Sequence, residues 1–217
     1  MALTEDIAAE RAALANSLSA AGASAHAGCG SWTARDLAAH LAAEERFGGI
    51  STFIARSLVA RGVAVPAPPR LVEFAIRREH RRSFTELVDR LRRPVPQLLI
   101  RSRVAPLTLF EYWTHHDDLV AANSAAHAAP PSLVAAIPPL LRYQRAKLPA
   151  GTALTIISAE DGRVLASEGP QAGPAVLVQA SPANLVRWLA GRHTRADVEL
   201  TGPAIDVQAL RAFDGHI

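Results

Sequence analysis

Leu107–Asn123 reads LTLFEYWTHHDDLVAAN, and the rest of the chain is organised around it. The run reads as a helix. Glu111 and His115 are four residues apart, which on a helix sets a carboxylate and an imidazole on one face, one turn apart. Such a pair can close on one divalent metal. The same spacing is common in solvated pairs on helix surfaces, so spacing alone leaves both readings open. The flanking Phe110, Trp113 and Leu119 surround a Glu, His, His, Asp, Asp set too polar for a plain core face. Asp118 shares the Glu111 face and can either orient a ligand or pair with an arginine. His116 and Asp117 turn away from that face and are expected at the surface or in a cap.

A metal held by two helical residues needs a third ligand from elsewhere. The candidate is His40, in WTARDLAAHLAAEE (Trp32–Glu45). Three protein ligands of mixed imidazole and carboxylate type leave positions open, the pattern of a reactive rather than a structural site. A metal in such a site can acidify a bound water or thiol. Zinc, nickel and iron all suit these donors.

Around these two segments the chain reads as helices. Thr4 is placed to cap the first, which runs to about Ala21 and stops at Gly22. Thr33 and Asp36 form a capping box for the helix carrying His40. Further helical pieces are expected over about 50–63 and 71–82, with Ser83 or Thr85 starting another. Breaks fall at VPAPP (65–69), at Pro94 and Pro96, and at HAAPP (127–131). Residues 98–106 fit an extended or a helical reading. Residues 132–147 read as helical, split or kinked by Pro138 and Pro139.

After Pro149 the composition changes. ALTIIS (153–158), VLASEG and AVLVQAS read as strands, with Asp161-Gly162 as a turn between the first two. PANLVRWLAGR, a strand in ADVELTG and a final helix in PAIDVQALRAF follow. The expected fold class is therefore α+β: a helical domain over 1–149 and a small α+β domain over 150–217.

Bulk properties narrow the function. The chain has 217 residues, 49% of them hydrophobic, and a formal net charge of +3. The arginines Arg77, Arg78, Arg81 and Arg82 sit among Glu79, Glu86 and Asp89 without interleaved aromatics, a solvated helix face rather than a nucleic-acid stripe. Cys29 is the single cysteine, so no internal disulfide forms. MALTEDIAAERAAL has acidic residues where a secretion signal needs basic ones. No stretch reaches about 18 consecutive apolar residues. The expectation is a soluble, cytoplasmic protein with neither nucleic acid nor membrane as partner. No phosphate-binding glycine loop, Gly-x-Ser-x-Gly or paired-cysteine zinc motif is present.

The order CGSWTARDLAAHL, EYWTHHDDL, then LAGR and ADVELTG resembles the mycothiol-dependent maleylpyruvate isomerase family, within the DinB-like metal-binding helical bundles, and is most similar to an actinobacterial branch of it. The resemblance covers nearly the whole chain. It implies an N-terminal DinB-like four-helix bundle and a C-terminal sterol-carrier-like α+β domain. It implies a divalent metal, typically zinc, on His40, Glu111 and His115, with Trp32 and Asp36 framing the helix start. It implies mycothiol as cosubstrate, a metal-held thiolate that attacks an electrophilic small molecule, and an isomerase or S-transferase reaction. Asp118, or a hydroxide on the metal, would take the thiol proton, and Arg192 would hold an anionic substrate group. DinB-like bundles often pair, and the alanine-rich faces allow a homodimer. The competing reading is a non-catalytic metal- or small-molecule-binding protein of sensing or stress response.

Overall fold

The computed structural model describes residues 2–63, 69–101, 103–149, 151–170 and 175–213. The chain opens with α1 (Ala2–Ala21), which buries Ile7, Leu14 and Leu18 at helical spacing. Thr4 lies inside α1, not at its cap, because Ala2 and Leu3 are good helix formers and extend the first turn. Gly22 ends α1 at φ +83°, with its N–H on Leu18 O, the left-handed stop that glycine accepts without strain.

Thr33 starts α2 (Ala34–Glu44) with a complete capping box. The Asp36 carboxylate accepts the Thr33 N–H at 2.8 Å and pairs with His80 Nε2 at 3.0 Å. Burial pushes the Asp36 carboxyl up, but the Thr33 hydrogen bonds and His80 outweigh it and hold it below its usual value. Asp36→Ala is expected to cost about 1 kcal/mol. The sign with pH follows from the lowered carboxyl. Its contribution is complete above the unfolded value of about 3.9 and fades as pH falls through the lower folded value. Urea unfolding of both proteins at neutral and acid pH would show the gap closing in acid; a gap that stays constant would rule out the charged cap.

Next come α3 (Ile50–Val59), α4 (Pro69–Glu79) and α5 (Phe84–Leu91), the last started by a second capping box at Ser83 and Glu86. The break expected at 65–69 lies outside the described residues except for Pro69, which begins α4. The arginine-rich surface is partly neutralised from within. Glu79 is fully buried and pairs with Arg46, Arg82 and Arg90. Residues 97–100 and 103–104 form turns and Arg101 a bend, so the described part of the ambiguous stretch before α6 (Ala105–Ala122) is neither strand nor helix.

Helix α6 is enclosed on most of its circumference. Leu107, Leu109, Phe110, Tyr112, Trp113 and Leu119 are buried, and so are Thr108, Thr114, His116, Asp117 and Asp118. It packs along α1, while α2 packs on α4 and α5. A helix buried this completely must pair its polar side chains internally, and α6 does so in two clusters, one at Glu111 and His115 and one at His116.

The chain divides into two compact units, one of Met1–Ser57 with Val65–Pro130 and one of Leu58–Ala64 with Pro131–Ile217. The composition change at 149/150 falls inside the second. That unit begins with a 3-10 turn (Pro131–Ala136) and α7 (Ile137–Gln144). Pro138 sits in the first turn of α7, where a missing N–H costs nothing. The sheet contains β1 (Ala153–Ser158), β2 (Val164–Glu168), β3 (Ala175–Ala180) and β4 (Glu199–Thr201) in the order β2-β1-β3-β4. Strands β1 and β3 run parallel, and the outer pairs are antiparallel. The parallel pair needs a crossover, which the β2 hairpin occupies. Helix α8 (Pro182–Leu189) buries Leu185, Val186, Trp188 and Leu189. Helix α9 (Ala204–Arg211) closes the described chain. Among the described residues no helix is long and apolar enough to cross a membrane.

Candidate metal centre

His40 comes from the middle of α2, Glu111 and His115 from adjacent turns of α6. Glu111 Oε1 lies 3.3 Å from His40 Nε2 and 3.0 Å from His115 Nε2. One donor atom from each of the three residues lies within 4.8 Å of the others. Their side chains are 16%, 19% and 12% exposed, so the triangle sits below the surface without being closed. Two imidazoles and one carboxylate, brought together with Nε2 of both rings facing the same oxygen, match the donor set of a divalent metal. The Trp32 ring lies 5.1 Å from that of His40 and 6.5 Å, stacked, from that of His115.

Two neighbours that spacing did not reveal shape the charge here. Arg56 of α3 binds Glu44 at 2.7 Å and lies 3.9 Å from Glu111 Oε2. Its other nitrogen donates to Thr108 Oγ1 at 2.8 Å. Burial pushes Glu111 up, but hydrogen bonds from His115 and His40 and the nearby Arg56 hold it well below the usual carboxylate range. Burial and the adjacent Glu111 push Glu44 up, against Arg56 and His40. The two carboxylates are thus pushed in opposite directions, Glu111 down between the two imidazoles and Glu44 up. Burial draws His40 down, yet Glu111 and Glu44 raise it overall. Arg56 could not be found from its sequence neighbourhood, because it reaches Glu111 across 55 residues of chain.

The loop between α1 and α2 folds back onto the outer side of His115. Cys29 Sγ is 3.4 Å from His115 Nδ1 and 3.4 Å from Asp118 Oδ2. A ligating imidazole turns one nitrogen to the metal and the other to a hydrogen-bonding partner, and Cys29 with Asp118 occupies that outer position. The loop is strapped down by Ala27 N to Trp32 O, Ala34 N to Ala25 O, and Asn123 Nδ2 to His26 O.

Gly28 makes this approach sterically possible. Its φ is +78°, and a Cβ there would come within 2.3 Å of the Asp118 carbonyl oxygen. Gly28→Ala is expected to cost about 1–3 kcal/mol in backbone strain alone, and to push Cys29 off His115. The second effect is readable separately, as faster alkylation of Cys29 by iodoacetamide under native conditions. Unchanged reactivity and unchanged stability together would refute this role.

Arg192 belongs to the second unit. It follows Gly191, and its guanidinium donates to Ala190 O at 2.5 Å. His116 and Asp117, expected at the surface or in a cap, are instead buried at 5% and 3% exposure. Helical geometry correctly turns them from the Glu111 face, but α1 and the segment after α6 cover the face they occupy.

No protein-family model matches the chain, and neither does any curated protein. Solved structures do share its fold. A crystal structure of the mycothiol-dependent maleylpyruvate isomerase superposes with a TM-score of 0.57 at 19% identity, covering 93% of both chains. A histidine-to-alanine mutant of a mycothiol-dependent maleylpyruvate isomerase does so at 0.50 and 16%, with the same coverage. At these identities the likeness establishes a common α+β fold.

Proposed function

We propose that this chain is a divalent-metal protein that uses a low-molecular-weight thiol of the mycothiol type in an isomerisation or S-transfer on an electrophilic small molecule. The observation that carries the reading is the convergence of His40, Glu111 and His115 on one point beneath Trp32. The shared fold with mycothiol-dependent maleylpyruvate isomerase structures supports the thiol as cosubstrate.

His40, Glu111 and His115 would hold the metal, with zinc the first choice. A divalent ion there acidifies a thiol bound to it, so that the thiolate is available near neutral pH. The chain's own residues do the rest. Glu111 stays ionised because two imidazoles and Arg56 face it. Trp32 walls the two imidazoles. Asp118, 2% exposed, is assigned to receive the thiol proton and to orient His115 with Cys29. Arg192 is assigned an anionic group of the electrophile. The setting we propose is the cytoplasm.

The test is elemental mass spectrometry on the untagged protein, followed by turnover of maleylpyruvate and other activated alkenes with mycothiol, glutathione or no thiol. The expected result is bound metal at this centre and turnover only with a thiol present. Asp118→Asn is expected to lower kcat by about 100-fold with little change in metal. Arg192→Ala is expected to raise KM by about 10-fold or more. A protein that holds no metal at these residues after supplementation with zinc, nickel and iron would overturn the proposal. Bound metal without any thiol-dependent turnover would leave the non-catalytic binding reading in its place.

A further inference from the structure

Two consecutive histidines of α6 serve two different clusters. Successive helical residues are turned by about 100°, and while His115 faces Glu111 and His40, His116 faces Glu10 of α1 and His127 of the segment after α6. Glu10 Oε1 lies 2.6 Å from His116 Nδ1 and 3.1 Å from His127 Nε2. The two imidazole rings are 4.1 Å apart, centroid to centroid. One donor atom from each of the three residues lies within 4.8 Å of the others. This is the same donor set as the first centre, one carboxylate and two imidazoles.

The outward ring nitrogens are placed as well. His116 Nε2 is 2.8 Å from Ser17 Oγ. His127 Nδ1 faces Asp117 Oδ1 at 4.0 Å, is buried, and has no hydrogen-bond partner. The Trp113 ring stacks on His127 at 5.5 Å, and its N–H donates to Ala128 O, which fixes the segment carrying His127. In metal-bound imidazoles one nitrogen faces the ion and the other is held by a neighbouring polar group; Ser17 Oγ stands in that outer position for His116, and Asp117 is the carboxylate nearest the outer nitrogen of His127. Burial adds a charge argument. Glu10 is 7% exposed, and a buried carboxylate needs positive charge or donors beside it. The two imidazoles face it already, and a divalent ion held among the three groups would add to that compensation.

We propose that Glu10, His116 and His127 form a second metal site, for zinc or a similar borderline divalent ion, with Ser17 and Asp117 orienting the two imidazoles. The site ties α1 to α6 and to the segment that follows α6. Its burial, with Glu10 at 7% and His116 at 5% exposure, sets it apart from the more open first centre.

The experiment uses the full chain, saturated with zinc and dialysed, and counts zinc per chain. Wild type is expected to hold two. The His40→Ala/His115→Ala variant is expected to keep one, and zinc is expected to raise its melting temperature by about 5 °C. Glu10→Gln and His127→Gln keep a hydrogen-bonding side chain in place of each ligand, so the fold survives if alanine does not. Each is expected to lose one zinc, and in the His40→Ala/His115→Ala background to abolish the shift. A folded His40→Ala/His115→Ala variant with no zinc and no shift overturns the second site while leaving the first intact. One zinc in wild type, lost only in Glu10→Gln and His127→Gln, supports the second site and removes the first.

Discussion

His40→Ala and His115→Ala are each expected to lower zinc affinity at the His40–Glu111–His115 centre by more than about 100-fold, and to abolish thiol-dependent turnover. The magnitude has a floor. Removing a group that merely orients a ligand typically costs 10–100-fold, and removing the ligand itself must cost more. Each substitution leaves Glu111 with one imidazole instead of two. Glu111 is buried in part by those rings, so the variant site also keeps a carboxylate with fewer donors around it. The two variants should behave alike although His40 is on α2 and His115 on α6, because Glu111 Oε1 is within 3.3 Å of both. Competition with a chromophoric chelator reads the affinity, and circular dichroism checks that the helices persist. A variant that keeps wild-type affinity would show that its histidine is an ordinary polar contact.

Arg11→Ala is expected to destabilise the helical unit by about 3–5 kcal/mol, the cost of stripping one partner from a buried ion pair. Arg11 and Glu45 are only 3% and 4% exposed at their side chains. The pair is bidentate, Nε to Oε1 at 2.8 Å and Nη2 to Oε2 at 2.6 Å. Arg11 also donates to the carbonyls of Leu91 and Arg93, and to that of Arg90 at 3.1 Å, satisfying the open end of α5. Tyr112 completes the network, donating to Glu45 Oε1 at 2.7 Å. Burial and the adjacent Glu45 push that phenol well up, so it remains a donor. Alanine at position 11 leaves a buried carboxylate with one neutral donor and removes a donor from the carbonyls of Leu91, Arg93 and Arg90, of which Arg90 keeps the Arg93 N–H. Urea unfolding should show the loss. In the double variant Arg11→Met/Glu45→Met the cost should be smaller, because the charge left behind is removed with its partner. A double variant as unstable as the sum of the singles would refute the pairing argument.

Much of this protein was legible locally. Capping boxes at Thr33 and Ser83, the stop at Gly22 and the apolar run 153–158 are signals that act within one turn or one strand. The sequence therefore placed α2, α5 and the strands close to their observed positions. The Glu111–His115 pair is legible for the same reason, since one helical turn sets the distance between them. His40 needed more. Periodicity put it on a helix and made it a candidate third ligand, and the resemblance named it as a partner of Glu111.

Tertiary structure decided what no local rule carries. Arg56 and Glu44 meet Glu111 from two other helices, and Glu10 and His127 meet His116 from opposite ends of the helical unit. Arg56, Glu44 and Glu10 lie 55, 67 and 106 positions from their partners, and residues so far apart show no mutual signal in one sequence, because helix faces record that they will be buried but not against what. His116 and Asp117 make the point. Their angle around α6 follows from 3.6 residues per turn, while their burial follows from α1 and the 123–130 segment closing over that side. The spacing of the EYWTHHDD run thus determined a histidine on each of two faces. The packing of the whole unit determined that both faces became polar centres.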